Sequence, residues 1–191
     1  MTRADAATST RQRIVSAAVA LTCAEGWAAV TMSRLAEDAG VSRQTVYNEV
    51  GSKAALAEAM VLTELERFLA LVDIGFGAHP DDLAAALRAA IRGVLREAAG
   101  NDLLREVVSP GGGDLLPPLT TDAGALLESS KAVLHQRIAS YDVVVAGRAR
   151  DAAVDMLVRT VLGHVMQPSG PTDRSADDIA ALGARMLTTS V

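Results

Sequence analysis

Apolar residues recur along this chain at the 3.6-residue spacing of helices, and no stretch shows the strict alternation of a strand. Ile14, Ala17, Ala18 and Leu21 mark the inner face of a helix over residues 10–24, following a polar tail over 1–9 that is expected to fray. Leu35, Ala36 and Ala39 do the same for a short helix that Thr31 caps and Gly40 ends. Ser42 caps the next, in which Val46 turns inward. The pairs Val30/Leu35 and Val41/Val46 have the spacing of hydrophobic staples. Ser52 then caps a long helix over 53–74 bearing Leu56, Met60, Leu65, Phe68, Leu69 and Val72, which Gly75, Gly77 and Pro80 are expected to break. Further helices are predicted over 82–99, 102–108, 120–139 (capped by Thr120 or Thr121) and 147–166. After Pro168, Gly170 and Pro171 stop that one, a final helix is opened by a Ser175/Asp178 capping box and carries Ile179, Leu182, Met186 and Leu187. About nine helices and no strand make an all-α chain. The run SPGGGDLLPP has three glycines but no following Lys-Ser/Thr, so it predicts a connector rather than a phosphate cradle.

The stretch Thr31–Leu56 holds the chemistry. Helix, glycine turn and capped helix within about twenty residues is the plan of a helix-turn-helix. With Val46 inward, the opposite side of the second helix presents Arg43, Gln44, Tyr47 and Asn48, a guanidinium, two amides and a phenol. Such groups read base edges or hold phosphates in a major groove. Thr31, Arg34, Ser42 and Thr45 join them as candidate DNA contacts. So does Lys53: a cation in the first turn of a helix opposes the macrodipole, and a phosphate over that terminus would supply its reason.

Gly26-Trp27, Thr31, Leu35-Ala36, Ala39-Gly40-Val41-Ser42, Thr45, Tyr47, Ser52-Lys53 and Leu56 stand in register with a known pattern. Over residues 9–56 the chain resembles the DNA-binding domain of TetR-family transcriptional regulators. Gln44 replaces the family's usual small residue, suggesting altered base preference, and Val50 replaces its usual Phe. The resemblance implies a three-helix DNA-binding domain over 1–52 and a helical ligand-binding and dimerisation domain over 53–191. It further implies a ligand-responsive regulator, in the simplest case a repressor, that binds a palindromic operator as a homodimer and is released by a small hydrophobic effector. The competing class is a helical dimer that merely sequesters a small molecule, which would not need the outward polar face of the second helix.

Composition narrows this picture. Apolar residues make up 50% of the chain but aromatics only 3%, so its core is built from Ala, Leu and Val. Residues 1–53 hold six cations and five anions, leaving twelve against eighteen in the rest of an overall −5. DNA binding must therefore rest on a few placed contacts, with modest, salt-sensitive affinity. Arg11 and Arg13 are open to two readings, touching the DNA backbone or sitting solvated. Trp27 reads as a packing wedge between the first and fourth helices. Cys23, the single cysteine, reads as buried packing and excludes an internal disulfide, which fits a reducing cytoplasm. Neither a signal peptide nor a membrane-spanning run is expected. His79, His135 and His164 lack metal-ligand spacing, and neither a nucleophile elbow nor a dinucleotide fingerprint appears, so no cofactor, metal or enzymatic activity is expected.

The last two helices are the candidate dimer surface, for a broadly apolar pair suits an isologous four-helix bundle. The alternative is that both stripes serve only the monomer core. The resemblance also implies a ligand pocket among the C-terminal helices. Met60, Phe68, Phe76, Met156 and Met166 are soft or flat side chains suited to an irregular apolar cavity. Arg159 and His164 are its polar candidates; their local alternatives are an i,i+4 pair with Asp155 and a surface or hydrogen-bonded core histidine.

Overall fold

The computed structural model describes residues 3–107 and 124–189, with side chains from Thr10 onward. Among the described residues there are nine α-helices and no strand: α1 (Arg3–Glu25), α2 (Met32–Ala39), α3 (Arg43–Val50), α4 (Lys53–Ala78), α5 (Leu83–Gly100), α6 (Asp102–Val107), α7 (Gly124–Ile138), α8 (Gly147–Met166) and α9 (Thr172–Thr188). A 3-10 turn over Trp27–Ala29 joins α1 to α2. The connector predicted over 109–118 and the cap expected at Thr120 or Thr121 lie outside the described residues. No helix among the described residues is long and apolar enough to cross a membrane.

The short helices are held by their caps. The Thr31 hydroxyl accepts from the Arg34 amide at 3.3 Å, and Gly40 closes α2 in the left-handed region at φ 62°. Ser42 Oγ accepts from the Thr45 amide at 3.0 Å, and Ser52 Oγ from that of Ala55 at 3.1 Å. Asp82 does the same for α5, accepting from Ala85 at 2.9 Å.

Three expectations are corrected. First, α1 begins at Arg3 rather than near residue 10; Ala4, Ala6 and Ala7 give the predicted tail a high helix propensity. Second, α4 runs through Gly75 and Gly77 and stops at Ala78, just before the His79-Pro80 pair where proline disfavours helix. Gly75 serves a close crossing instead: a Cβ there would stand 2.4 Å from the Ala90 amide nitrogen of α5. Third, α9 starts at Thr172, so Ser175 lies in its first turn and caps nothing; its amide donates to the Pro171 carbonyl at 3.0 Å. The helix gains acidic Asp173 in that turn, where the macrodipole favours an anion.

By internal contacts the chain forms two compact units. The first holds α1–α3, α4 up to Glu64, and α6. Its core is Ile14, Leu35, Val46, Leu56 and Met60, all buried. The second holds α4 from Leu65, then α5 and α7–α9. Its most extensive packing is α5 on α9, around Leu87, Ile91, Ile179 and Leu187, with Val154 of α8 in the same core. Arg88, Arg92 and Arg96 of α5 interleave there with Asp173 and Asp177 of α9, the Arg96–Asp173 pair being bidentate at 2.9 and 3.0 Å. The Tyr141 hydroxyl donates to the His79 carbonyl at 2.7 Å, tying the segment after α7 to the end of α4.

Candidate nucleic-acid interface

Burial of Val46 and Val50 fixes which way α3 faces. Arg43, Gln44, Tyr47 and Asn48 are all exposed on its other side, Tyr47 by 41%. They form two i,i+4 pairs. The Arg43 guanidinium lies 5.6 Å from the Tyr47 ring centroid and donates to its hydroxyl at 3.4 Å. Gln44 Nε2 donates to Asn48 Oδ1 at 3.0 Å. At the start of the helix the Ser42 and Thr45 hydroxyls share a hydrogen bond of 2.8 Å. The result is a preordered row of donors and acceptors on a helix capped at both ends, with the Gly51 amide bonded to the Tyr47 carbonyl at 2.9 Å.

The flanking candidates are engaged within the unit. Arg34 holds Glu25 in a bidentate pair at 2.5 and 2.7 Å, and that hydrogen bond keeps the Glu25 carboxyl below its usual pKa. Lys53 has a local partner after all. Its ammonium donates to the Trp27 carbonyl at 2.9 Å and lies 4.6 Å from the Trp27 ring centroid, a cation–π contact. A phosphate is thus not required to explain its position in the first turn of α4.

Other residues take roles that neither sequence reading covered. Arg11 donates to the Glu49 carbonyl and Arg13 to the Ala39 carbonyl, so both cap the C-terminal turns of neighbouring helices. Trp27 is buried, as a packing residue should be. Glu106 of α6 was missed altogether: its carboxylate accepts from the Trp27 amide at 3.3 Å across 79 positions of sequence. No local pattern announces a contact at that separation. Cys23 is exposed on α1, correcting its assignment to the core. Partial desolvation, then the carboxylates of Asp102, Glu64 and Glu106, push its thiol above the ordinary pKa and away from reactivity. Among the described residues no group of His, Cys, Asp and Glu is placed to hold a metal ion.

The seven residues read as ligand contacts are scattered. Met60 is fully buried in the first unit; the other six belong to the second, Met166 half-buried. Phe76 is buried edge-to-face against Tyr141, with ring centroids 5.8 Å apart, and Phe68 is half-buried. Met156 is 58% exposed, and Arg159 is exposed in its i,i+4 pair with Asp155 at 2.7 Å. His164 Nδ1 sits 2.9 Å from the Thr160 carbonyl, and its Nε2 3.1 Å from the Ser169 hydroxyl. With Leu95 and Ala98 it edges a cleft of about 40 Å³. The stripes read as a dimer surface are largely consumed by the chain's own core. Val154, Leu157, Val158, Ile179 and Leu187 are buried there, while Met156 and Leu182 (60% exposed) face out.

Comparison with known proteins gives two family matches. Residues 14–60 match the model for bacterial regulatory proteins of the tetR family, and residues 82–185 match that for the bacterial tetracyclin repressor C-terminal domain. The HTH-type transcriptional regulator AlkX of Mycobacterium tuberculosis is 32% identical over 184 residues, covering 93% of this chain and 83% of that protein. The crystal structure of the TetR family repressor AlkX from Dietzia sp. strain DQ12-45-1b, implicated in biodegradation of n-alkanes, aligns with a TM-score of 0.78 at 30% identity. It covers 92% of this chain and 96% of the other. The R. erythropolis repressor QsdR, at 18% identity and a TM-score of 0.64 over 96% and 97% of the two chains, shares the fold.

Proposed function

As this chain belongs to the tetR family of bacterial regulatory proteins and is a transcriptional regulator rather than an enzyme, we propose that it is a repressor which binds a palindromic operator as a homodimer and leaves it when a small hydrophobic effector binds. The observation that supports this most directly is the outward face of α3, where Arg43, Gln44, Tyr47 and Asn48 are exposed together on a helix fixed by its caps. The helix enters a major groove with that face; Ser42, Thr45 and Thr31 flank it and Lys53 meets the phosphate backbone. One eight-residue helix offers few contacts. Two copies set about one helical turn apart read a palindrome. The second copy packs through the outward residues of α8 and α9, Met156 and Leu182 foremost.

The effector is apolar and of the alkyl-chain class, a reading that takes its lead from the Dietzia relative and its link to n-alkanes. It acts along α4, which carries Lys53 at its start and Phe68 and Phe76 further on. Release follows if the effector binds better to the state in which α4 is displaced, because a ligand shifts an equilibrium only by its differential affinity. Selection of bound fragments from random duplex DNA tests the regulator reading, with an inverted repeat as the expected product. Enrichment of no sequence, or of an isolated half-site by a monomer, refutes it. Thermal-shift titration with alkanes and fatty acids tests the effector, and stabilisation by polar compounds alone would count against an apolar site.

A further inference from the structure

The two amide side chains of α3 form a unit whose free edge matches one base. Gln44 Nε2 gives one of its two hydrogens to Asn48 Oδ1 at 3.0 Å. Its second hydrogen and its Oε1 are left over, one donor and one acceptor side by side on an exposed amide. With the Asn48 oxygen facing it, the Gln44 amide turns its nitrogen toward Asn48 and keeps its own oxygen for the groove. Without that bond the Gln44 oxygen and nitrogen could exchange places by rotation about the last torsion. Asn48 commits one lone pair of its own oxygen to Gln44, which ties its amide to holding its neighbour.

In the major groove adenine presents the N6 amino donor beside the N7 acceptor, which is the complement of a donor–acceptor amide. Guanine presents two acceptors, O6 and N7, and would set O6 against Gln44 Oε1. Thymine offers one acceptor and a methyl group, and cytosine one donor, so neither satisfies both atoms of the amide. The other exposed pair lacks this selectivity, since Arg43, lying against Tyr47, offers only donors.

We propose that Gln44 reads an adenine in each operator half-site and that Asn48 is a positioning residue which holds the Gln44 amide in the reading orientation. This rests on the reading of α3 as the helix that enters the groove, and it adds the base and the atoms. Adenine N6–H donates to Gln44 Oε1, and Gln44 Nε2–H donates to adenine N7.

The test starts from the operator that the wild-type protein enriches, with binding measured at fixed salt to duplexes changed at one base pair at a time. Wild type is expected to discriminate against A·T to G·C exchange at one position of each half-site by roughly tenfold or more. Gln44→Ala is expected to bring that ratio close to one there and to leave the other positions unchanged. Replacing the adenine by 7-deazaadenine removes the N7 acceptor and should weaken wild type but not Gln44→Ala. Asn48→Ala should lower the discrimination while leaving the salt dependence of binding unchanged. Asn48→Asp keeps the acceptor, so it should retain the ratio even though the added charge weakens binding to every duplex. Full discrimination by Gln44→Ala, or an equal response of both proteins to 7-deazaadenine, overturns the inference while leaving the regulator reading intact. A wild-type protein that enriches no duplex overturns both.

Discussion

Replacing Gly75 by Ala would place a methyl group 2.4 Å from the amide nitrogen of Ala90, 2.6 Å from its Cα and 2.9 Å from its Cβ. All three atoms belong to α5, two of them to its backbone, so no side-chain rotation relieves the contact. Two effects compete. Alanine gains about 1 kcal/mol over glycine in a helix interior. Overpacking against an unyielding neighbour costs about 1–3 kcal/mol, and contact with backbone points to the upper half of that range. The expected net is a loss of about 1–2 kcal/mol, or roughly 2–8 °C in melting temperature for a chain of this size. Gly77 is the internal control. It sits two residues later in the same helix and has nothing within 4 Å of the position of its missing Cβ. Gly77→Ala is therefore expected to stabilise by about 0.5 kcal/mol from helix propensity alone, the lower end of the range because Gly77 lies in the last turn of α4. Urea unfolding followed by far-ultraviolet circular dichroism reads both. It should be run at one protein concentration, because the stability of any self-associating chain depends on it. Gly75→Ala at or above wild-type stability would refute the close crossing of α4 and α5.

Lys53→Ala should lower stability by about 1 kcal/mol through loss of the Trp27 carbonyl bond and ring contact, and should flatten the salt slope of DNA binding by about one. An unchanged slope would confine Lys53 to its structural contact. Ser42→Ala removes the cap of α3 and should cost about 1 kcal/mol in urea unfolding, with a loss of operator affinity; wild-type values for both would refute the cap's importance. The Asp173 carboxyl is held below its ordinary pKa of 3.8, chiefly by the hydrogen bond from Arg96. The unfolded state thus binds this proton first, so the pair's contribution is present above pH 3.8 and lost as pH falls through the lower folded value. Asp173→Asn should make the acid limb of the stability profile shallower, and an identical limb would count against the pair.

The helix-turn-helix could be read from the chain because each of its devices is local. Thr31 and Ser42 lie three positions from the amides they cap, Gly40 closes its own helix, and Val46 fixes the facing of α3 by burial on a 3.6-residue period. The same logic misread Gly75 as a breaker. Local propensity carries no information about α5, whose Ala90 requires the glycine from fifteen positions away. It also misread the start of α9, where Ser175 and Asp178 have capping-box spacing but the chain enters its helix three residues earlier. Arg11, Arg13 and Lys53 were legible as cations around the helix-turn-helix and illegible as helix caps and a tryptophan partner. Their acceptors Glu49, Ala39 and Trp27 lie 26 or more positions away.

The sequence by itself determined the class of the protein, an all-α regulator, and the identity of the face on α3. Capping, periodic burial and side-chain type act within one or two turns of helix, and that range is visible along the chain. Only the tertiary structure decided which candidates are already engaged by their neighbours and which stand free. Arg34 is occupied by Glu25, Arg159 by Asp155, and most of the α8 and α9 stripes by the chain's own core. The physical reason is that an apolar stripe or a charged side chain states what it must find, burial or a partner, without stating where. The fold alone brings Glu106 to Trp27 or Asp173 to Arg96.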